Sequence, residues 1–383
     1  MAERRSPSFL ERFGVSRLEQ RHKQGGIAAR GGDDDVHLLN ADERADLFAL
    51  ERRAIAKAGL IGAASAGISA VVEVALIPHE ADVFFYWGVL GAVSAVCAVL
   101  EILLLSLDAL HAAHGQAVIA GVRVDDDVDR DRTFRLLARA ALELPNPIDE
   151  LADVTIDPLK ETPKAWLLMA AIAYKAKVSV TNVIIKQLVR RALGRATLRA
   201  AVVPFVSVPV TAIWNIAVAR RVLRESRVRV LGPPAAYDVV RRLLPDGEVL
   251  NDVEVEAALR AVGAAIVRSA DLHPNHAALL MALRERLGAD TLPEEIDSSP
   301  RFQQALAKVS EDRQPLVRTL LRVAVILDGR VPRRERLLLR DAQADDGVSD
   351  ALEAFTLGLP IPLGAAIRRA IVAPSAFLAS SDA

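Results

Sequence analysis

The chain has one cysteine, Cys97, among 383 residues. No intrachain disulfide can therefore form, and no cysteine-based zinc cage can be assembled. Aromatic residues make up only 4%, so the interleaved aromatic and basic residues on which single-stranded nucleic acids stack are missing. There is no Walker loop, dinucleotide glycine pattern or H-E-x-x-H, and the "AASAG" around Ser65 lacks the first glycine of a nucleophile elbow. No nucleophile is nominated together with its base, so the sequence reads as non-enzymatic, with no cofactor. The basic amino terminus has no continuous apolar stretch of the length a cleavable signal needs. Acids are absent from Thr162 through Arg224, whereas Asp125, Asp126, Asp127, Asp129 and Asp131 crowd the stretch before it. The net charge of -1 thus hides strong segregation.

What is present is apolar length. Hydrophobic residues reach 52% while charged residues stay at 25%, so very apolar segments must alternate with very polar ones. Ala58 to Ile77 reads "AGLIGAASAGISAVVEVALI", and Val83 to Leu107 reads "VFFYWGVLGAVSAVCAVLEILLLSL". A helix rises about 1.5 Å per residue and needs roughly 20 residues to cross a hydrocarbon core of about 30 Å. Both runs meet that length, and Pro78 to Asp82 leaves room only for a tight turn. The pattern predicts a transmembrane helical hairpin within residues 51–108.

One acid lies in each run. Folding the hairpin about its turn places Glu101 near Lys57 and Gly59, which predicts a membrane ion pair between Lys57 and Glu101. Glu73, one helical turn before Pro78, can reach the opposite interface. Gly62 with Ala66, Ala63 with Gly67 and Gly91 with Ala95 space small residues for close helix packing, either within the hairpin or onto a second copy of the chain. Arg52, Arg53 and Lys57 precede the first run, while the turn holds His79 and two acids. By the positive-inside rule the turn faces away from the cytoplasm and both termini are cytoplasmic.

A third stretch, Ala200 to Ala219, is free of charge, but Pro204 and Pro209 interrupt it. Each removes a backbone donor. The sequence predicts a break around Phe205 to Val208, with Ser207 as cap and Pro209 in the first turn of a new helix. Ahead of it, Lys175, Lys177, Lys186, Arg190 and Arg191 accompany Trp166 and aliphatic residues. With Trp214, Arg220 and Arg221 they read as a surface for the anionic head groups of a lipid bilayer, where each nearby cation contributes about 1 kcal/mol. Nucleic acid is the disfavoured partner. Whether residues 200–219 span, re-enter or lie on the membrane stays open. The pattern "VVPFVSVPVTAIWNIAVARRVLRESRVRVLG" resembles the closing part of EcsC-type bacterial proteins, over roughly 162–232, although the glycines expected between the prolines are Ser207 and Val208 here. That resemblance implies a helical, membrane-associated bacterial protein.

After Gly232, Pro233 and Pro234 the composition becomes that of amphipathic helices separated by Pro, Gly or Asp, which predicts a compact helical bundle. Asp328, Gly329, Val331 and Glu335 form D-G-x-V-x-x-x-E between two helices. Gly329 permits a tight turn, Asp328 can accept backbone donors, and Glu335 falls in a first helical turn, where its charge suits the dipole. The motif is similar to the signature of TerB-like helical domains, over roughly 253–354; the resemblance implies a metal site, for which Asp328 and Glu335 are the only matching pair. Two carboxylates fall short of the six to eight oxygens a calcium ion takes, and an ordinary helix cap is the competing reading. Asp108, His111 and His114, and separately His273 and His276, recur every third residue, a weaker metal pattern. Phe9, Leu10, Phe13 and Leu18 predict a short amphipathic helix that docks on a membrane surface or, the favoured reading, on the rest of the protein.

The expected architecture is all-α: a polar, amphipathic segment (1–50), a transmembrane hairpin (51–108), an acidic helical connector (109–161), basic membrane-apposed helices (162–232) and a C-terminal, TerB-like helical domain (233–383). The expected function is an anchor, interaction protein or envelope-stress scaffold of the bacterial inner membrane, binding a protein partner through its C-terminal bundle. Two alternatives stand beside it: a small oligomeric transporter or pore subunit, and a soluble helical enzyme with a large apolar core.

Overall fold

A computed structural model describes residues 8–23, 38–79, 82–122, 127–144, 156–158, 160–161, 204–289 and 292–363. Among these residues there are eleven α-helices and no strand. They are α1 (Phe9–Lys23), α2 (Ala41–Leu76), α3 (Val83–Ile119), α4 (Asp127–Ala141), α5 (Ser207–Leu243), α6 (Asp252–Ser269), α7 (Pro274–Leu287), α8 (Ser299–Lys308), α9 (Gln314–Ile326), α10 (Arg333–Asp341) and α11 (Val348–Thr356).

α2 and α3 form the expected hairpin, and with α5 they are the three helices long and apolar enough to cross a membrane. α2 begins in water with a capping box: the Asn40 side chain accepts from the backbone of Asp42 and Glu43, and Glu43 reaches back to the Asn40 amide. A short 3-10 turn at Ile77–His79 ends it, and Asp82 caps α3 by accepting from the Phe85 amide. Along α3, Phe84, Trp87, Val96, Val99 and Ile102 are each more than half exposed. In water such a face would forfeit its whole burial energy; in hydrocarbon it forfeits nothing.

The small-residue face of α2 receives α5 rather than α3. Ala58, Gly59, Gly62, Ala66 and Ala70 lie on one side of the helix. A Cβ on Gly59 would stand 2.9 Å from Ile216, and one on Gly62 would stand 2.4 Å from the Asn215 amide nitrogen. Only hydrogen fits there, because the Ile216 and Asn215 side chains of α5 press on these positions. Gly67 and Gly91 face open space.

α5 starts where the prolines dictate. Pro204–Val206 is a 3-10 turn and Pro209 lies in the first helical turn. Ser207 does not cap the helix by accepting; its hydroxyl donates to the Pro204 carbonyl, 2.6 Å away. The helix then runs on through Pro233 and Pro234. The boundary placed at 232/233 from composition therefore falls inside a helix. Proline lacks a donor and crowds the previous turn, but the Asn275 amide of α7 sits against this turn and donates to the Val228 carbonyl (2.9 Å) and the Leu327 carbonyl (2.6 Å). Gly232 makes room for it, since a Cβ there would lie 1.9 Å from that nitrogen.

The C-terminal bundle closes around α6, in which every residue from Ala257 to Val267 is buried. α7, α8, α9 and α10 all pack on it, and Leu231, Ala235, Ala236, Val239 and Leu243 of α5 join the same core. α5 is about 55 Å long by its 37 residues. Its first half packs on the hairpin and its second half is part of the bundle. α1 docks on α4 as expected, through buried Leu18 and the Arg139 pair with Glu11 (2.9 Å), but Phe9 and Leu10 point outward.

Candidate functional site

Two polar sites lie along α5. The first is inside the apolar unit. Where α2, α3 and α5 meet, a cavity of about 260 Å³ is lined by Glu73, Glu101, Ser69, Ser94, Ser207 and Thr211, among others. Glu101 accepts from the Asn215 amide at 2.7 Å. The expected pair between Lys57 and Glu101 is not made. Lys57 bonds Asp108 instead, at 3.1 Å. The reason is periodicity: Glu101 and Asp108 are seven residues apart and so share a face of α3, but α5 brings Asn215 to the deeper acid and leaves the shallower one to the lysine. An ionisable group at such depth needs a partner or a polar cavity, and Glu101 has both.

The second site joins α5 to the bundle. His273 caps α7, and its Nδ1 accepts from the Asn275 amide. Its Nε2 therefore carries the proton and donates to Glu225 of α5, 3.1 Å away. Arg229 reaches the same carboxylate at 3.0 Å and Arg330 approaches to 3.7 Å. Arg224 donates to the Gly329 carbonyl. Gly329 has φ +74°, and a Cβ on it would stand 2.6 Å from Val228. The D-G turn is thus glycine for two reasons, its left-handed backbone and the helix pressed on it.

Asp328 and Glu335 are brought together as the motif suggested, and both are buried. Asp328 accepts from the Arg330 amide at 2.8 Å. Burial raises its carboxyl to about 6, against the opposing pull of that hydrogen bond, His273 and Arg330, with Glu225 pushing it up further. Glu335 is fully buried, and among the described residues neither carboxyl oxygen has a hydrogen-bond partner. Burial and the neighbouring Asp328 raise it well above the usual glutamate range. Desolvation thus opposes the charge expected to favour the helix dipole, and it outweighs a dipole interaction of about 0.3–1 kcal/mol. His276, also fully buried, donates from Nε2 to the Ala324 carbonyl at 2.8 Å. Its pKa is lowered to about 4 by burial and by His273.

As to metals, no group of three or more His, Cys, Asp or Glu with metal-binding geometry occurs among the described residues. His273 and His276 lie in a helix start rather than a loop, and Asp108 is committed to Lys57. His114 is buried beside His22, with 6.2 Å between ring centroids. Of the expected membrane-surface residues, Lys175, Lys177, Lys186, Arg190 and Arg191 lie outside the described residues. Trp214 is half-buried on α5, and Arg220 and Arg221 are exposed at the end of its charge-free stretch.

Asn215 and Asn275 escaped sequence reasoning. Asn215 stands alone in an apolar run and Asn275 sits between Pro274 and His276, and the importance of each depends on which helix arrives opposite. No family model, curated protein or solved structure matches the chain.

Proposed function

We propose that this chain is a non-enzymatic integral protein of the bacterial inner membrane, in which the α2–α3 hairpin and α5 hold a cytoplasmic helical bundle rigidly at the bilayer surface as a protein-interaction or envelope-stress scaffold. Similarity to EcsC-type and TerB-like proteins belongs to this proposal. The observation that carries it is α5 itself. One helix shares its first half with the apolar unit and its second half with the bundle core, and the Glu225–His273–Arg229 cluster and Asn275 pin the join. A flexible tether would need neither.

The protein should resist alkaline carbonate and be released only by detergent. In a Cys97→Ser background, His79→Cys should react with a membrane-impermeant maleimide on intact cells, whereas exposed Asp345→Cys should react only after lysis. Carbonate release would refute the integral reading, and the reverse labelling pattern would invert the topology.

The cavity at Glu73 and Glu101 favours one second reading, a small oligomeric transporter or pore subunit. Carboxylates and hydroxyls at membrane depth suit a proton or a small cation. Glu101→Gln keeps an acceptor for Asn215 but removes the charge. If ion flux exists in reconstituted vesicles, this variant should lower it about tenfold or more, as losses of positioned acid–base groups do. Unchanged flux would remove the support for transport and leave the scaffold reading intact.

A further inference from the structure

Two further cavities adjoin at the level where α5 leaves the apolar unit. One, of about 260 Å³, is mainly apolar, with Ile102, Leu105, Leu142 and Val218 in its wall; it reaches from Asp108, beside Lys57, inward to Asn215. The other, of about 300 Å³, opens between α4, α5 and the bundle and is lined by Arg139, Arg221, Arg229 and Arg330. Glu143 and Val222 line both, so the two spaces share a wall. The acids of the second cavity are Glu143, Glu225 and Asp271. Glu225 is already met by His273, Arg229 and Arg330, and Arg139 is held by Glu11. Arg221 has no ion pair among the described residues, and it lies two residues after Ala219, the last residue of the charge-free stretch.

An apolar slot at membrane depth, joined to an arginine-lined chamber at the membrane face, has the shape and polarity of one amphiphile. We propose that the paired cavities bind a single anionic phospholipid, with its phosphate between Arg221 and Arg330 and an acyl chain in the slot beside Ile102, Leu105 and Leu142. Guanidinium forks match phosphate oxygens, and a cation at the interface also attracts anionic lipid from the leaflet. The bound lipid would fill the gap between the membrane unit and the bundle, wedged against Glu143 and Val222. This inference rests on the membrane reading above.

The test uses the full-length protein in mild detergent, followed by native mass spectrometry with added phosphatidylglycerol or phosphatidylcholine. Phosphatidylglycerol should be retained about tenfold or more over phosphatidylcholine. Arg221→Gln combined with Arg330→Gln should bring its retention down to the phosphatidylcholine level, with helicity unchanged by circular dichroism. Ile102→Trp, at a largely exposed position, should reduce retention of both lipids by blocking the slot. Millimolar inorganic phosphate should not displace the lipid. Equal retention of the two lipids, displacement by free phosphate, or insensitivity to both variants would each overturn the proposal. A carbonate-resistant protein with no lipid preference fails this inference alone, whereas carbonate release fails the membrane reading beneath it.

Discussion

Replacing Gly263 with alanine should cost the bundle about 3 kcal/mol, although alanine is the better helix former by about 1 kcal/mol. Gly263 lies in the fully buried stretch of α6, and a Cβ there would stand 2.2 Å from the backbone oxygen of Ile296. Carbon and oxygen cannot approach so closely, so the segment ahead of α8 must move. It is not free to do so. Arg260, one turn earlier on α6, is buried and clamps that segment, donating to the Glu295 carbonyl at 2.9 Å and the Glu294 carbonyl at 3.0 Å. Overpacking alone costs typically 1–3 kcal/mol, and each hydrogen bond to a charged group that breaks adds about 1.5–3. Denaturant unfolding of the full chain in detergent, followed by circular dichroism, measures the loss. The clamp supplies a second arm. In an Arg260→Gln background the segment can retreat, so Gly263→Ala should cost about 1–2 kcal/mol less than in the parent, a coupling visible in a double-mutant cycle. Strict additivity of the two substitutions would sink the account.

What could be read beforehand depended on whether a feature is local. The hairpin was legible because solvent preference and span length are properties of each segment alone: two apolar runs of helical length, each with a single acid and separated by a turn, admit few structures in lipid. The bundle was legible for a similar reason, since capping residues, apolar period and Pro or Gly punctuation mark each helix separately. Gly329 could be recognised as a turn residue from its neighbours. The partners of Lys57 and Glu101 and the burial of Glu335 could not, because each depends on which helix stands opposite. Depth matching put Lys57 against Glu101 under the assumption of two helices; a third helix carrying Asn215 changed the answer. Pro233 and Pro234 misled for a related reason. The prolines deprive only the carbonyls four residues earlier, Arg229 and Val230, of their helical donors, and the helix is held there by packing from elsewhere: Asn275 arrives from more than 40 residues away in sequence and donates to the neighbouring Val228 carbonyl.

The same long-range burial makes the bundle respond to pH in two opposing ways. Asp328 is raised from an ordinary 3.8 to about 6. The folded state therefore holds a proton that the unfolded chain releases, so this stabilisation is full below about 3.8 and is lost as pH rises through about 6. His276 is lowered from an ordinary 6.5 to about 4. Its folded form is neutral, so its contribution is full above 6.5 and disappears as pH falls towards 4. Each shift exceeds two pH units, which at 1.36 kcal/mol per unit is on the order of 3 kcal/mol. Between about pH 4 and 6 the slopes have opposite signs and similar size, so wild-type stability should vary little from these two groups. Asp328→Asn removes one of them while keeping an oxygen to accept the Arg330 amide. The variant should be more stable than wild type by about 3 kcal/mol at pH 7, with the advantage level down to about pH 6, then shrinking by about 1.4 kcal/mol per unit and vanishing near pH 4. Glu335, raised by burial and by Asp328, shifts the same way: losing that neighbour eases its own ionisation and adds to the gain at neutral pH. The groups that set the balance are His273, Arg330 and Glu225 around Asp328, and His273 and Asp271 around His276. Unfolding midpoints at pH 4, 5, 6 and 7 for the parent and Asp328→Asn decide the matter, and parallel profiles would mean that the carboxyl at this turn stays charged in the folded protein.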